Sequence, residues 1–147
     1  MAAEIRERFE TMEECYEFML AYAAKGLTSD LGSESGRQLR EFLNRAVAAL
    51  TGIAESCSIA FGDESPIFLA VLERDARDAF AAIELVLAQP AISSQLIDNL
   101  NASMHLRALL TDVFLIGEVL RTQPSAANPA PQGVQPTAQE KAAASVP

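Results

Sequence analysis

From Leu96 to Leu120 nearly every turn of the chain carries a large apolar residue, and from Leu106 the apolar set wraps most of the way round a helix. Leu106, Leu109, Leu110, Val113, Phe114, Leu115, Ile116, Val119 and Leu120 leave only a thin polar strip at Arg107, Thr111 and Glu118. A surface helix needs one apolar stripe; a helix that is apolar on most sides must be covered on most sides. The pattern predicts a helix from Ser93 or Ser94 to about Arg121, stopped by Gln123-Pro124 and placed at the centre of a bundle or in a subunit interface.

Three earlier segments carry narrower stripes. Ile5, Phe9, Met12, Tyr16, Met19 and Ala23 alternate in steps of four and three, a heptad-like seam on a helix from about Ala3 to Lys25 that Gly26 closes. The connector TSDLGSESG follows, with Ser33 or Ser35 as the next cap. A second helix, about Gly36 to Ala60, bears Leu39, Leu43, Ala46, Leu50, Ile53 and Cys57, and Gly62 ends it. Asp63-Glu64-Ser65-Pro66 is then a helix-start signature, with Ser65 as cap, Pro66 in the first turn and acids at the positive end of the dipole. The third helix, about Pro66 to Ala88, turns Phe68, Leu72, Ala76, Ala79, Ile83 and Val86 inward. Its charged girdle is Glu73, Arg74, Asp75, Arg77 and Asp78.

No segment alternates with the period of a strand. Four long helices with short loops predict an all-α, up-down-up-down four-helix bundle over residues 1–122. Residues 123–147 differ in kind. Pro, Ala, Gln and Ser dominate them, large apolar residues are nearly absent, and a disordered tail is expected.

Half of the 147 residues are hydrophobic, enough for a core without metals or disulfides. The charge of −9, from 20 acids against 11 bases, disfavours nucleic acid and anionic membrane surfaces as partners. The start, MAAEIRERFETMEE, is charged at once and has no apolar core of a secretory signal. No apolar run approaches the ~20 residues of a membrane span, so the cytosol is the expected compartment. Cys15 and Cys57 fit no metal spacing. On antiparallel helices rising about 1.5 Å per residue their levels differ by roughly 18 Å, whereas a disulfide spans at most about 7 Å. Two free thiols are expected.

No constellation identifies a chemistry. Gly32 and Gly36 lack the Lys-Ser/Thr ending of a phosphate loop and follow no strand. A di-iron bundle needs Glu-x-x-His on two helices, yet the chain holds one histidine, His105, with no Glu three residues before it. No catalytic residue, metal site or cofactor is therefore assigned. Two surfaces remain as candidate partner-binding regions. One is the face of the last helix around Leu106, Leu110, Val113 and Phe114, where Gly117 would let another helix approach closely. The other is the acid cluster Glu10, Glu13, Glu14 and Glu17, suited to a basic partner helix. The expected function is a non-enzymatic accessory protein that binds itself, as a homodimer, or another protein. The alternative is an apolar ligand or cofactor held between helices near Met104 and His105. In composition, an amphipathic Ala- and Leu-rich body with a Pro/Ala-rich tail resembles the granule-coating phasins. No motif carries that likeness, and it implies no residue role.

Overall fold

The computed structural model describes residues 2–61 and 65–122, and among these residues the chain is all-helical, with six helices and no strand. They are α1 (Ala2–Ala24), α2 (Glu34–Leu50), α3 (Ile53–Phe61), α4 (Pro66–Leu87), α5 (Ser94–Ala102) and α6 (Met104–Thr122). The helix stop at Gly62, the acids Asp63 and Glu64, and the tail 123–147 lie outside the described residues. Residues 1–117 form one unit. In the second, which begins at Glu118, Arg121 Nη2 donates to Glu118 Oε2 at 2.6 Å.

Two of the four expected helices are each a pair. The stretch 36–60 breaks at Thr51-Gly52, because Gly52 adopts φ +81°, a left-handed conformation that costs other residues about 1–2 kcal/mol. Its apolar stripe runs on across the break, and Leu39, Leu43, Ala46, Leu50, Ile53 and Cys57 are all buried. The carbonyls released at the end of α2 need donors. Arg8, reaching across from α1, supplies them: its Nη1 donates to Ala49 O at 2.9 Å and Thr51 O at 2.7 Å. The last expected helix breaks at Ser103, which is extended, ends α5, and accepts from the Leu106 amide at 3.3 Å to start α6.

On α1 the buried line is Ile5, Phe9, Met12, Cys15, Met19 and Tyr22, so Cys15 and Tyr22 take the places expected for Tyr16 and Ala23. Tyr22 is fully buried because its hydroxyl donates to Ile92 O at 2.7 Å. Phe18 of α1 stacks on Phe42 of α2 with ring centroids 4.7 Å apart. Of the cap candidates, Ser33 accepts from Gly36 N and Ser93 from Leu96 N, each at 3.0 Å, while Ser65 makes no side-chain cap bond. The close helix pairs are α1 with α2, α3 and α5, and α4 with α2, α3 and α5.

One end of the fold is closed by a polar clamp. Asp30, in the α1–α2 connector, has a side chain only 2% exposed. One of its carboxylate oxygens accepts from the Ile92 amide at 2.6 Å and the other from Arg40 Nε. The Arg40 Nη atoms donate onward to Leu87 O at 3.3 Å, the last carbonyl of α4, and to Gln89 O at 3.0 Å in the connector just beyond it. Ser94 ties the same two connectors: its amide donates to Leu27 O at 2.8 Å and its hydroxyl to Tyr22 O at 2.6 Å. Gly36 is what lets the connector lie this close, since a Cβ there would stand 1.8 Å from Asp30 O.

Burial pushes the Asp30 pKa up, but Arg40 and the Ile92 amide together outweigh it and hold the carboxyl below its ordinary value. A depressed pKa stabilises the fold above the unfolded value, and that stability is lost as pH falls through the folded value. Asp30→Ala, which strands Arg40, is expected to cost about 3–5 kcal/mol in urea unfolding at pH 7. The variant should also lose part of the wild type's acid sensitivity. A cost below about 1 kcal/mol would show that the pair behaves as a surface ion pair.

Candidate functional site

From Met104 to Gly117, α6 divides into two faces. Leu106, Leu109, Leu110, Val113 and Ile116 are buried and belong to the chain's own core. Of the residues expected to meet a partner, Leu106, Leu110 and Val113 are therefore occupied within the chain. Phe114 faces outward, and the adjacent Leu115 shares its exposure, each at 54%. Gly117 is not the seat of a close internal contact, since nothing stands within 4 Å of a Cβ built there.

Glu10, Glu13, Glu14 and Glu17 all lie on the solvent face of α1. Glu14 accepts from Arg45 Nη2 at 3.3 Å, and the Arg45 guanidinium also sits 5.0 Å from the centre of the Phe42 ring. An open groove of about 450 Å³ beside these residues is lined by Glu4, Glu7, Arg8, Thr11 and Arg45. Arg8 is already held there by the α2 carbonyls and by Glu4. Its charge serves the fold and leaves little for a ligand.

Met104 is 82% exposed and His105 lies beside it in solvent, at the start of α6 and outside the space between helices. Among the described residues no group of three or more His, Cys, Asp or Glu side chains converges as a metal site would require. The two cysteines are free, as expected, and both are buried. Burial pushes the Cys15 thiol up to about 12 and the Cys57 thiol up to about 11, against the weaker opposite pull of Arg45 and Arg8 respectively.

One pair of ionisable groups was not singled out from sequence. Asp112 is 5% exposed, lies on the buried face of α6 with Leu109, Val113 and Ile116, and its Oδ2 has no hydrogen-bond partner. Asp75, on α4, is the acid that acts on it: beyond burial, the Asp75 carboxyl and its charge push the Asp112 pKa up. The signal was available. Asp112 follows Leu109 by three residues and precedes Ile116 by four, which puts an acid inside an apolar stripe. Charge spacing places Asp75 in a solvated girdle, but its side chain is only 13% exposed.

Comparison of the chain with protein-family models, with curated proteins and with solved structures finds no match. Among the described residues no helix is long and apolar enough to cross a membrane.

A thiol is a nucleophile only as thiolate. Iodoacetamide at pH 8 should therefore modify neither cysteine of the folded chain at more than about a hundredth of the rate of an exposed cysteine. Both should react once guanidinium unfolds the protein. Rapid labelling of either in the native state would show a thiol open to chemistry.

Proposed function

We propose that the chain is a non-enzymatic cytosolic interaction protein. It docks on a second copy of itself or on another protein through the outer face of α6 around Phe114 and Leu115. The observation that carries this reading is the adjacency of two large apolar side chains, each 54% exposed, on a helix whose opposite face already fills the core. Single exposed apolar residues are ordinary, but a contiguous patch signals an interface. The reading also takes the six helices as a four-column up-down-up-down bundle, in which α2 with α3 and α5 with α6 each make one column. Its support is that α1 and α4 share the neighbours α2, α3 and α5 but are not themselves a close pair. The solvent position of Met104 and His105 gives no support to a ligand held between helices.

Phe114→Asp should abolish self-association in sedimentation velocity, or the hetero-complex in native mass spectrometry of protein isolated from its own cells. Folding stability should change by no more than about 0.5 kcal/mol. Assembly that survives this substitution and Leu115→Asp would overturn the reading. Leu110→Asp is not a clean probe, because Leu110 is a core residue at 5% exposure.

Gly117→Ala separates fold from docking. Within the chain the new methyl meets open space, so helix propensity should stabilise the fold by roughly 1 kcal/mol. A partner helix seated on that glycine would be pushed away, so assembly should weaken while the thermal midpoint rises. Unchanged assembly would place the contact elsewhere on the helix.

A further inference from the structure

The buried Asp112, with its unpartnered Oδ2 and the acid Asp75 acting on it from α4, has no place in a docking surface and none in the clamp around Asp30. We propose that these two carboxyls form a proton-operated clasp between α4 and α6: one shared proton holds the helices together, and its loss drives them apart. The inference stands independently of the partner reading above.

Its first support is geometric. Asp112 is 95% removed from solvent, among leucine, isoleucine and valine side chains of its own helix face, with one oxygen unpartnered. The charged groups that act on it, Asp75 and Arg74, both come from α4. Its helical neighbours at three and four residues are Leu109, Ala108, Leu115 and Ile116, and His105, two turns away, faces solvent. Arg74 Nε stands 3.8 Å from Asp75 Oδ1, but the Arg74 side chain is 70% exposed, so water screens it and it offsets one carboxylate at most.

The chemistry of such a pair follows directly. Two carboxylates in contact away from water cannot both stay ionised without repulsion. With one proton present, a carboxylic acid donates an O–H···O bond to the facing carboxylate, and repulsion becomes attraction. Burial first, then the bond to Asp75 and the Asp75 charge, raise Asp112 to about 7, while Arg74 pulls weakly the other way. A folded-state pKa above the unfolded one stabilises fully below the unfolded value, near 3.9, and that stability is lost as pH rises through the folded value. The clasp is thus closed in mild acid and opens across neutrality. What it releases is the α6 face of Leu106, Leu109, Leu110 and Val113, which the closed state buries.

The test uses the full chain with ¹³C-labelled aspartate. Carboxyl shifts are followed from pH 4 to 9, and amide exchange along α6, corrected for intrinsic rates, is compared at pH 5.5 and 8.5. The expected result is one step of the pair near neutral pH, with α6 opening on the order of tenfold more at the higher pH. Asp112→Asn, whose amide donates to Asp75 whatever the pH, should hold α6 equally protected at both, and Asp75→Asn should do the same. Titration of both carboxyls near the ordinary aspartate value overturns the clasp. So does wild-type α6 protection that does not change with pH, or a pH-dependent opening that both variants retain. If neither variant folds, the wild-type carboxyl titration decides alone.

Discussion

The fold hangs on a carboxylate that water barely reaches. Asp30 lies in a connector, where most chains place solvated polar residues, yet it is among the most buried polar groups of the described residues. Its position makes sense only through its donors. The Ile92 amide and the Arg40 guanidinium belong to parts of the chain far apart in sequence, and Asp30 holds both. Arg40 in turn donates to the carbonyls at and just beyond the end of α4. One anion therefore fixes the α1–α2 turn against the α4–α5 turn and sets where α2, α4 and α5 stand along the axis. Apolar stripes alone permit sliding by a turn, because leucine packs on leucine in either register. A buried pair that must find its partners does not permit it. Replacing such a pair with apolar side chains is often neutral or stabilising, so we read its value here as register.

Arg8 repeats the device at the α2–α3 junction. A helix that stops leaves carbonyls without donors, and a guanidinium with five N–H groups is the side chain best able to serve several at once. Arg8 of α1 binds the last turn of α2 and also Glu4, whose carboxylate accepts from Ser56 Oγ of α3 at 3.2 Å. The break at Gly52 is thus tied on both sides to α1.

These two arginines explain why part of the architecture was legible in the sequence and part was not. Helix content and inward faces follow from periodicity, because burying a stripe is a local property of spacing: Leu39, Leu43, Ala46 and Leu50 had to share a face. The breaks at Gly52 and Ser103 left the stripes in phase, so periodicity passed over them. The glycine at 52 and the serine after Asn101-Ala102 were the available signs. Arg8 and Arg40 act across about forty or more positions of sequence, and nothing local distinguishes them from solvated charges. The wide apolar set of α6 had the opposite fault. With so many large residues the spacing did not decide which faced inward. Phe114 and Leu115 came out on the surface, and Leu106, Leu110 and Val113 in the core.

The two most informative acids of the chain meet opposite fates, and the contrast locates where the molecule can move. Asp30 is surrounded by donors and its carboxyl is held below the ordinary value; Asp112 is faced by another acid and its carboxyl is pushed up to about 7. The first contributes stability that acid removes, the second stability that base removes, so both are present together only between mildly acidic and neutral pH. They also differ in what backs them up. Around Asp30, the bonds of Ser94, Tyr22 and Arg40 join α1, α2 and α5 to the α4–α5 connector, so the carboxylate works within a set of directional ties. Among the described residues no helix pair that includes α6 is a close one, and its buried face carries leucine, valine and isoleucine side chains. An apolar contact is non-directional and tolerates partial separation. The acid pair is the directional tie between α4 and α6. A helix held by oily contact and one proton is the element of this fold whose attachment a change of pH near neutrality can alter.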